Sequence, residues 1–263
     1  MAAMADDFKD PMNTGAREWD ADTYDRVSDP QFNWGMEVLD RLRLRGDEVA
    51  VDAGCGSGRV TAELAKRLPD GRIIAVDGSE AMVAKARDRL GDRADYLVTD
   101  LADLELAEPV DLVFSTATFH WLSDHDRLFG RLRAALKAEG NLIAQCGGEG
   151  NVASHTEVIA RVGARPEFAP HLSRAKALWN FASPEETEPR LLGAGFGEVR
   201  CWLEPKPVQP ERPLEFISTV TLGPILDQLP ADRRKAFAET VLEESESPLV
   251  LDYVRLNIEA VAA

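Results

Sequence analysis

Two hydrophobic periods alternate along this chain. Short runs dominated by apolar residues, at 49–52, 72–77, 94–99, 110–115 and 141–145, are too brief for helices and read as buried strands. Between them lie stretches whose apolar residues recur at three- and four-residue intervals, the spacing of one helical face. Val60, Leu64 and Leu68 mark such a face over 59–68, which stops at Pro69. Met82, Val83, Ala86 and Leu90 mark another over 80–90, with Ser79 as N-cap and Gly91 at its end. Leu128, Phe129, Leu132 and Leu136 mark a third over 125–138, capped by Asp124 and closed at Gly140. Ser183 to Glu186 reads as a capping box with proline at the first helical position, opening a helix over 184–194 that Gly195 closes. A sixth strand is expected at 197–204, and a last one, loosely alternating, within 249–261. Strands that alternate with helices imply an α/β protein, doubly wound, with a mostly parallel sheet and helices on both faces.

Two segments fall outside that alternation, 147–181 and 205–248. The second has helical apolar spacing of its own, in Phe216, Val220, Leu222, Ile225, Leu226 and Leu229, then Phe237, Val241 and Leu242. Both are read as helical cap insertions over the carboxyl edge of the sheet, where open α/β folds bind ligands. The plain alternative is extra packing layers. Residues 1–18 are polar, small and acidic, and read as a flexible tail. Residues 19–263 then form a single domain, without repeats or low-complexity segments.

The chemistry starts where the first strand turns into a helix, at Asp52-Ala53-Gly54-Cys55-Gly56-Ser57-Gly58. Glycine lets the backbone turn tightly and approach a ligand, and the following helix aims its unpaired N–H groups at the turn. A dinucleotide loop has the spacing G-x-G-x-x-G, but here it is G-x-G-x-G, with Arg59 where the third dinucleotide glycine belongs. The carboxylate of Asp52 at the strand tip repels a pyrophosphate and attracts an ammonium or sulfonium group. Asp77 ends the second strand 19 positions after Gly58, the interval at which nucleotide folds place a ribose-binding acid. A carboxylate there accepts both ribose hydroxyls as charge-assisted hydrogen bonds. Gly78 and Ser79 follow it. Asp100-Leu101 ends the third strand, and the fourth runs into Thr116-Ala117-Thr118-Phe119-His120-Trp121-Leu122.

Over residues 35–147 this combination resembles the class I S-adenosylmethionine (SAM) methyltransferases. The resemblance implies a seven-stranded Rossmann-like sheet with an antiparallel last strand, and SAM as the cofactor. It implies cofactor contacts at Asp52, Gly54, Gly56, Asp77, Gly78, Ser79, Asp100, Leu101 and Thr116, with Asp100 receiving the adenine amino group. Met82 is a candidate for the adenine pocket or, by its spacing, for the core. Phe119-His120-Trp121, together with Tyr24 and Gln31 in the N-terminal arm, resembles more narrowly the trans-aconitate and juvenile hormone acid methyltransferases, which methylate carboxylates. That narrower likeness places Tyr24 and Gln31 at the cofactor, and Gln31, His120 and Trp121 at the reacting centre.

Charge narrows the acceptor. The net charge of −16 excludes the basic footprint that nucleic acid needs and disfavours an anionic membrane surface. A small anionic substrate stays open, because a pocket can be locally positive. Between His155 and Asn180, Arg161, Arg165, Arg174 and Lys176 outnumber Glu157 and Glu167, and an arginine there is a candidate carboxylate clamp. The three cysteines and four histidines form neither a disulfide framework nor a metal signature. With no apolar run of about 18 residues and no secretory leader, the expected compartment is the cytoplasm.

Methyl transfer from a sulfonium disperses charge, so the protein contributes mainly positioning and water exclusion. A carboxylate acceptor is already ionised near neutral pH and needs no base, so His120 would orient it. A hydroxyl or carbon acceptor needs a base, and His120 is the first candidate, ahead of His155 and Glu149. Small-molecule carboxylate methylation is the preferred expectation. O- or C-methylation of a secondary metabolite and a non-catalytic SAM-binding module are the alternatives.

Overall fold

A computed structural model describes residues 28–172 and 179–263. The tail 1–18, Tyr24, Arg174 and Lys176 lie outside the described residues.

The described chain opens with helix α1 (Asp29–Leu39). Five strands and three helices follow: β1 (Val49–Ala53), α2 (Arg59–Arg67), β2 (Arg72–Asp77), α3 (Glu80–Leu90), β3 (Asp95–Val98), β4 (Val110–Thr116), α4 (His125–Ala135) and β5 (Leu136–Gly147). After the first cap segment come α5 (Ala153–Gly163), α6 (Ala169–Leu172), α7 (Pro184–Ala194) and β6 (Phe196–Pro205). The second cap segment holds α8 (Pro213–Phe216), a π-helical turn Ile217–Thr221, α9 (Gly223–Leu226) and α10 (Ala231–Glu244), and β7 (Val254–Ala262) closes the fold. The sheet order is β3-β2-β1-β4-β5-β7-β6. β1 to β5 are parallel, and β7 slots between β5 and β6, antiparallel to both.

The local signals for helix starts hold. Ser79 accepts from the Met82 N–H, Asp124 from the Arg127 N–H, and Ser183 with Glu186 completes both halves of the capping box. One boundary is different. The helix expected over 125–138 stops at Ala135, and β5 begins at Leu136 instead of 141. Leu136 continues the helical spacing of 128, 129 and 132, but it is extended and paired with Val110 of β4, where its side chain is buried. Arg133 donates to the Leu136 carbonyl at the helix end. The strand expected within 249–261 is likewise shorter, with Leu251 set apart in a single bridge to Val208.

Alternation along the strands sends side chains to two cores. On one face Leu256, Ile258 and Ala260 of β7 join Val51, Val76, Val113 and α4. On the other, Ala50, Ile73, Ala75, Leu112 and Phe114 pack under α1, α2 and α3. Phe114, Phe119 and Phe129 are fully buried, each contributing roughly 1.5–3 kcal/mol of transfer free energy. A third core joins the two cap segments to each other. Phe168 meets Phe237 edge to face at 5.0 Å, and Trp34 of α1 meets Tyr253 at 5.1 Å within the same cluster. The caps are therefore a packed layer of their own, tied to the sheet through α1 and the approach to β7. No helix among the described residues is long and apolar enough to cross a membrane.

Candidate active site

The glycine turn after β1 is held by β2. The N–H groups of Gly54 and Cys55 both donate to the Val76 carbonyl, at 2.8 and 2.9 Å. Gly54 sits at φ 85°, and a Cβ there would overlap the Thr118 side chain arriving from the end of β4. Gly56, at φ 52°, has nothing within 4 Å of where a Cβ would project. The turn is thus pinned on one side and open on the other, which is the shape of a ligand cradle. Gly58 packs against Ala86 of α3.

Asp77 closes the cradle. Its Oδ2 accepts from the Gly56 N–H and its Oδ1 from the Ser79 N–H, both at 2.9 Å. These two bonds orient the Asp77 carboxylate at the mouth of the turn. Asp52 lies behind the turn and is 2 % exposed. It accepts from Thr61 Oγ1 at 2.6 Å. Burial pushes its carboxyl up to about 7; the Thr61 hydrogen bond opposes that rise and the charge of Asp77 adds to it. Thr61 was missed at the sequence level, although it stands one turn into α2 where a strand-tip acid can be met.

The other cofactor candidates divide. Asp100 is exposed at the tip of β3, its Oδ1 held by the Ala102 N–H at 2.8 Å. Gly78 is half-buried beside Asp77. The Ser79 hydroxyl is committed to its helix cap. Met82 is buried, and the Leu101 side chain belongs to the main core. Thr116 ends β4, and its carbonyl accepts from Thr118 Oγ1 at 2.9 Å.

Beyond β4 the backbone is strained. Ala117 adopts φ 56°, a left-handed conformation costing a non-glycine residue on the order of 1–2 kcal/mol. That kink sends Thr118 onto Gly54 and turns Phe119–Trp121 into a short 3-10 helix. His120 is buried, and its Nδ1 accepts from the Gly147 N–H at 3.2 Å. Its carbonyl receives the Asn180 N–H at 2.8 Å, tying the turn to the first cap segment. Burial, then the positive charge of Arg255 and the neighbouring His125, hold the His120 imidazole well below its usual pKa. His120 is therefore neutral, and because Nδ1 is the acceptor, its proton is on Nε2.

An aromatic wall surrounds it. His120 lies 5.1 Å from Trp121 and 5.7 Å from Phe181, and Trp179 stacks on Phe181 at 8° and also faces Trp121. Trp179 and Phe181 had no sequence signal beyond their place at the end of a cap segment. Gln31, in the first turn of α1, has a buried Oε1 without a hydrogen-bond partner among the described residues.

The remaining candidates have these surroundings. His155 is enclosed in the cap core, bonded to Thr221 Oγ1 at 3.0 Å, and burial lowers it to about 4. Glu149 is exposed, its N–H bonded to the Ala182 carbonyl. Arg161 and Arg165 both pair with Glu244 of α10 across the cap. The buried arginine at the sheet edge is Arg255 on β7.

A family model described as a methyltransferase domain matches residues 50–140. Trans-aconitate 2-methyltransferase from Methylobacterium nodulans is 31% identical over 255 residues, covering 92% of this chain and 98% of the relative. The enzyme of that name from Variovorax paradoxus is 30% identical over 224 residues, covering 84% and 86%. Among solved structures, phosphoethanolamine N-methyltransferase 2 of Haemonchus contortus, in complex with phosphomonomethylethanolamine and S-adenosylhomocysteine, superposes with a TM-score of 0.59. It is 18% identical and covers 92% of this chain and 56% of that one, a likeness of fold.

Proposed function

The chain belongs to the class I SAM-dependent methyltransferases, and from that premise we propose that it methylates a carboxylate oxygen of a small molecule, giving a methyl ester. The observation that carries this reading is the state of His120. Its one basic nitrogen is occupied by the Gly147 N–H. What it can offer an acceptor is the Nε2–H donor, so it orients an acceptor without deprotonating it. A carboxylate fits, since it arrives ionised. A hydroxyl or carbon acceptor needs a base, and the basic nitrogen of the first candidate, His120, is already occupied.

When bound, SAM supplies a methyl group on a positively charged sulfur. The open face at Gly56 and the oriented carboxylate of Asp77 fit such a molecule, and Asp77 would accept from its ribose hydroxyls. Asp100 would receive the adenine amino group. The Asp77 carboxylate at the turn favours a cationic ligand, and such a ligand would in turn favour the ionised form of Asp52 behind it. Trp121, Trp179 and Phe181 exclude water and present ring faces that tolerate a cation. Excluding water strips the acceptor carboxylate of its hydration and strengthens the His120 hydrogen bond that orients it. Two relatives carry trans-aconitate in their names, which supports a carboxylic acid as acceptor.

The test is a panel of carboxylic acids and phenols, incubated with SAM and the protein. Release of S-adenosylhomocysteine with a base-labile methyl ester, identified by mass spectrometry, is the expected result. An alkali-stable methylated product would overturn the ester reading, and no turnover despite tight SAM binding would favour a non-catalytic module.

A further inference from the structure

Arg59 opens α2 directly behind Gly58, and its side chain reaches the first turn of α1. Three groups meet it there. Its Nη2 donates to Asp29 Oδ1 at 2.8 Å, its Nη1 donates to Ser28 Oγ at 3.3 Å, and its guanidinium carbon lies 4.7 Å from the centre of the Phe32 ring. A planar fork with two open faces can make all three contacts at once; a lysine cannot. Ser28 is the N-cap of α1, yet its side chain makes no hydrogen bond to the N–H groups of its own helix. The start of α1 is held by Arg59 where a serine cap would ordinarily hold it.

The later turns of α1 are secured by packing. Trp34, Gly35, Val38 and Leu39 are buried, and a Cβ at Gly35 would sit 2.6 Å from Val60 Cγ2, so this part of the helix lies directly on α2. In the first turn Asp29 is exposed, and Pro30, Gln31 and Phe32 are only half-buried. The end of a helix with the least burial is the end that opens first. That turn carries Gln31, whose Oε1 is buried without a hydrogen-bond partner among the described residues. A buried acceptor left unpaired is costly. The glycine turn 54–58 lies immediately before Arg59, so one residue joins the ligand cradle to the turn that carries Gln31.

We propose that Arg59 is a positioning residue: it fastens the first turn of α1 to the glycine turn, so that binding of SAM and seating of Gln31 favour each other. This rests on the SAM site at that turn and not on which acceptor is methylated. Gln31 Oε1 would accept from a donor of the bound cofactor, its ammonium group being a donor of that kind. Arg59 acts through α1. Such coupling is reciprocal: whatever the clamp adds to cofactor affinity, the cofactor adds to closure of the turn.

The experiment titrates the full-length protein with S-adenosylhomocysteine by calorimetry and follows amide hydrogen exchange over residues 28–36 with and without that ligand. In the wild type the ligand is expected to slow exchange there about tenfold. Arg59→Met should weaken binding ~5- to 20-fold and reduce the slowing to less than about twofold. Arg59→Lys keeps the charge without the fork and should recover part of the affinity. Because Arg59 acts through the turn that carries Gln31, combining Arg59→Met with Gln31→Ala should cost no more affinity than the larger of the two single losses. Should Arg59→Met not fold, Asp29→Asn answers the question: it removes an exposed partner at little cost to folding, and binding should weaken about two- to fivefold. Unchanged affinity in folded Arg59→Met, with only a lower melting temperature, would overturn the proposal and leave Arg59 a fastening of α1 to α2. Losses that multiply in the double variant would overturn it too. If the wild-type protein binds no S-adenosylhomocysteine, the SAM reading itself fails, a result distinct from unchanged affinity in a variant.

Discussion

The backbone N–H of Gly147 donates to Nδ1 of His120, 3.2 Å away inside the protein. That single bond assigns the imidazole tautomer and turns the residue most suggestive of a general base into a donor. Two outcomes follow. At saturating SAM, log kcat/KM for the acceptor should stay flat between about pH 6.5 and 8.5, because a neutral imidazole held below its usual pKa does not titrate there. His120→Ala should raise the acceptor KM by ~10-fold, the value of a hydrogen bond to a charged group, with kcat falling less. A rate that drops about a thousandfold at unchanged KM would mean that His120 removes a proton after all.

Asp77 is bound by two backbone N–H groups and owes its orientation to them. Asp77→Ala should weaken SAM binding by roughly 10- to 100-fold, the loss of charge-assisted hydrogen bonds, and should also lower the melting temperature of the cofactor-free protein, because the Gly56 and Ser79 N–H groups lose their acceptor. Calorimetric titration with S-adenosylhomocysteine reads this directly. Unchanged affinity would remove Asp77 from the ribose.

Gly54 and Gly56 separate two reasons for a glycine. Gly54→Ala drives a methyl group into Thr118 at φ 85°, and should cost about 2 kcal/mol or more of stability. Gly56→Ala meets no neighbour, so its stability cost is confined to the backbone term of ~1–2 kcal/mol, while its methyl projects into the open cradle. The expected pattern is therefore a larger melting-temperature loss for Gly54→Ala and a larger loss of SAM affinity relative to stability for Gly56→Ala. Chemical denaturation and cofactor titration on the two variants distinguish them.

Features encoded within a few residues were legible in the sequence: the glycine turn, the acid 19 positions beyond it and the three helix caps all rest on local backbone chemistry. What was not legible depends on pairing across the chain. Arg255 lies beside Gly147, the residue that fixes His120, only because β7 inserts antiparallel beside β5. Trp179 and Phe181 gain meaning only when Asn180 ties their segment to the His120 carbonyl. Leu136 carried a helical period and a strand fate at once, and the partner in β4 decided between them.

Asp52 should make SAM binding depend on pH. Its folded carboxyl titrates at about 7, against 3.8 for an unperturbed aspartate, because burial disfavours the charge. An acid whose folded pKa is raised holds a proton that the unfolded chain releases. Its contribution to stability is therefore fully present below about pH 4 and is lost as pH rises to 7, at a cost of about 4 kcal/mol above that. A cationic cofactor near Asp52 favours the ionised form, so binding at pH 7 should expel a fraction of one proton, and affinity should rise from pH 6 to 8. Calorimetry in two buffers of different ionisation enthalpy measures that proton. Asp52→Asn should abolish the release and raise the melting temperature of the cofactor-free protein at pH 8 relative to wild type, since the buried charge is gone while an amide oxygen can still accept from Thr61. Proton release that persists in Asp52→Asn would assign the titration to another group and leave Asp52 as a structural partner of Thr61 alone.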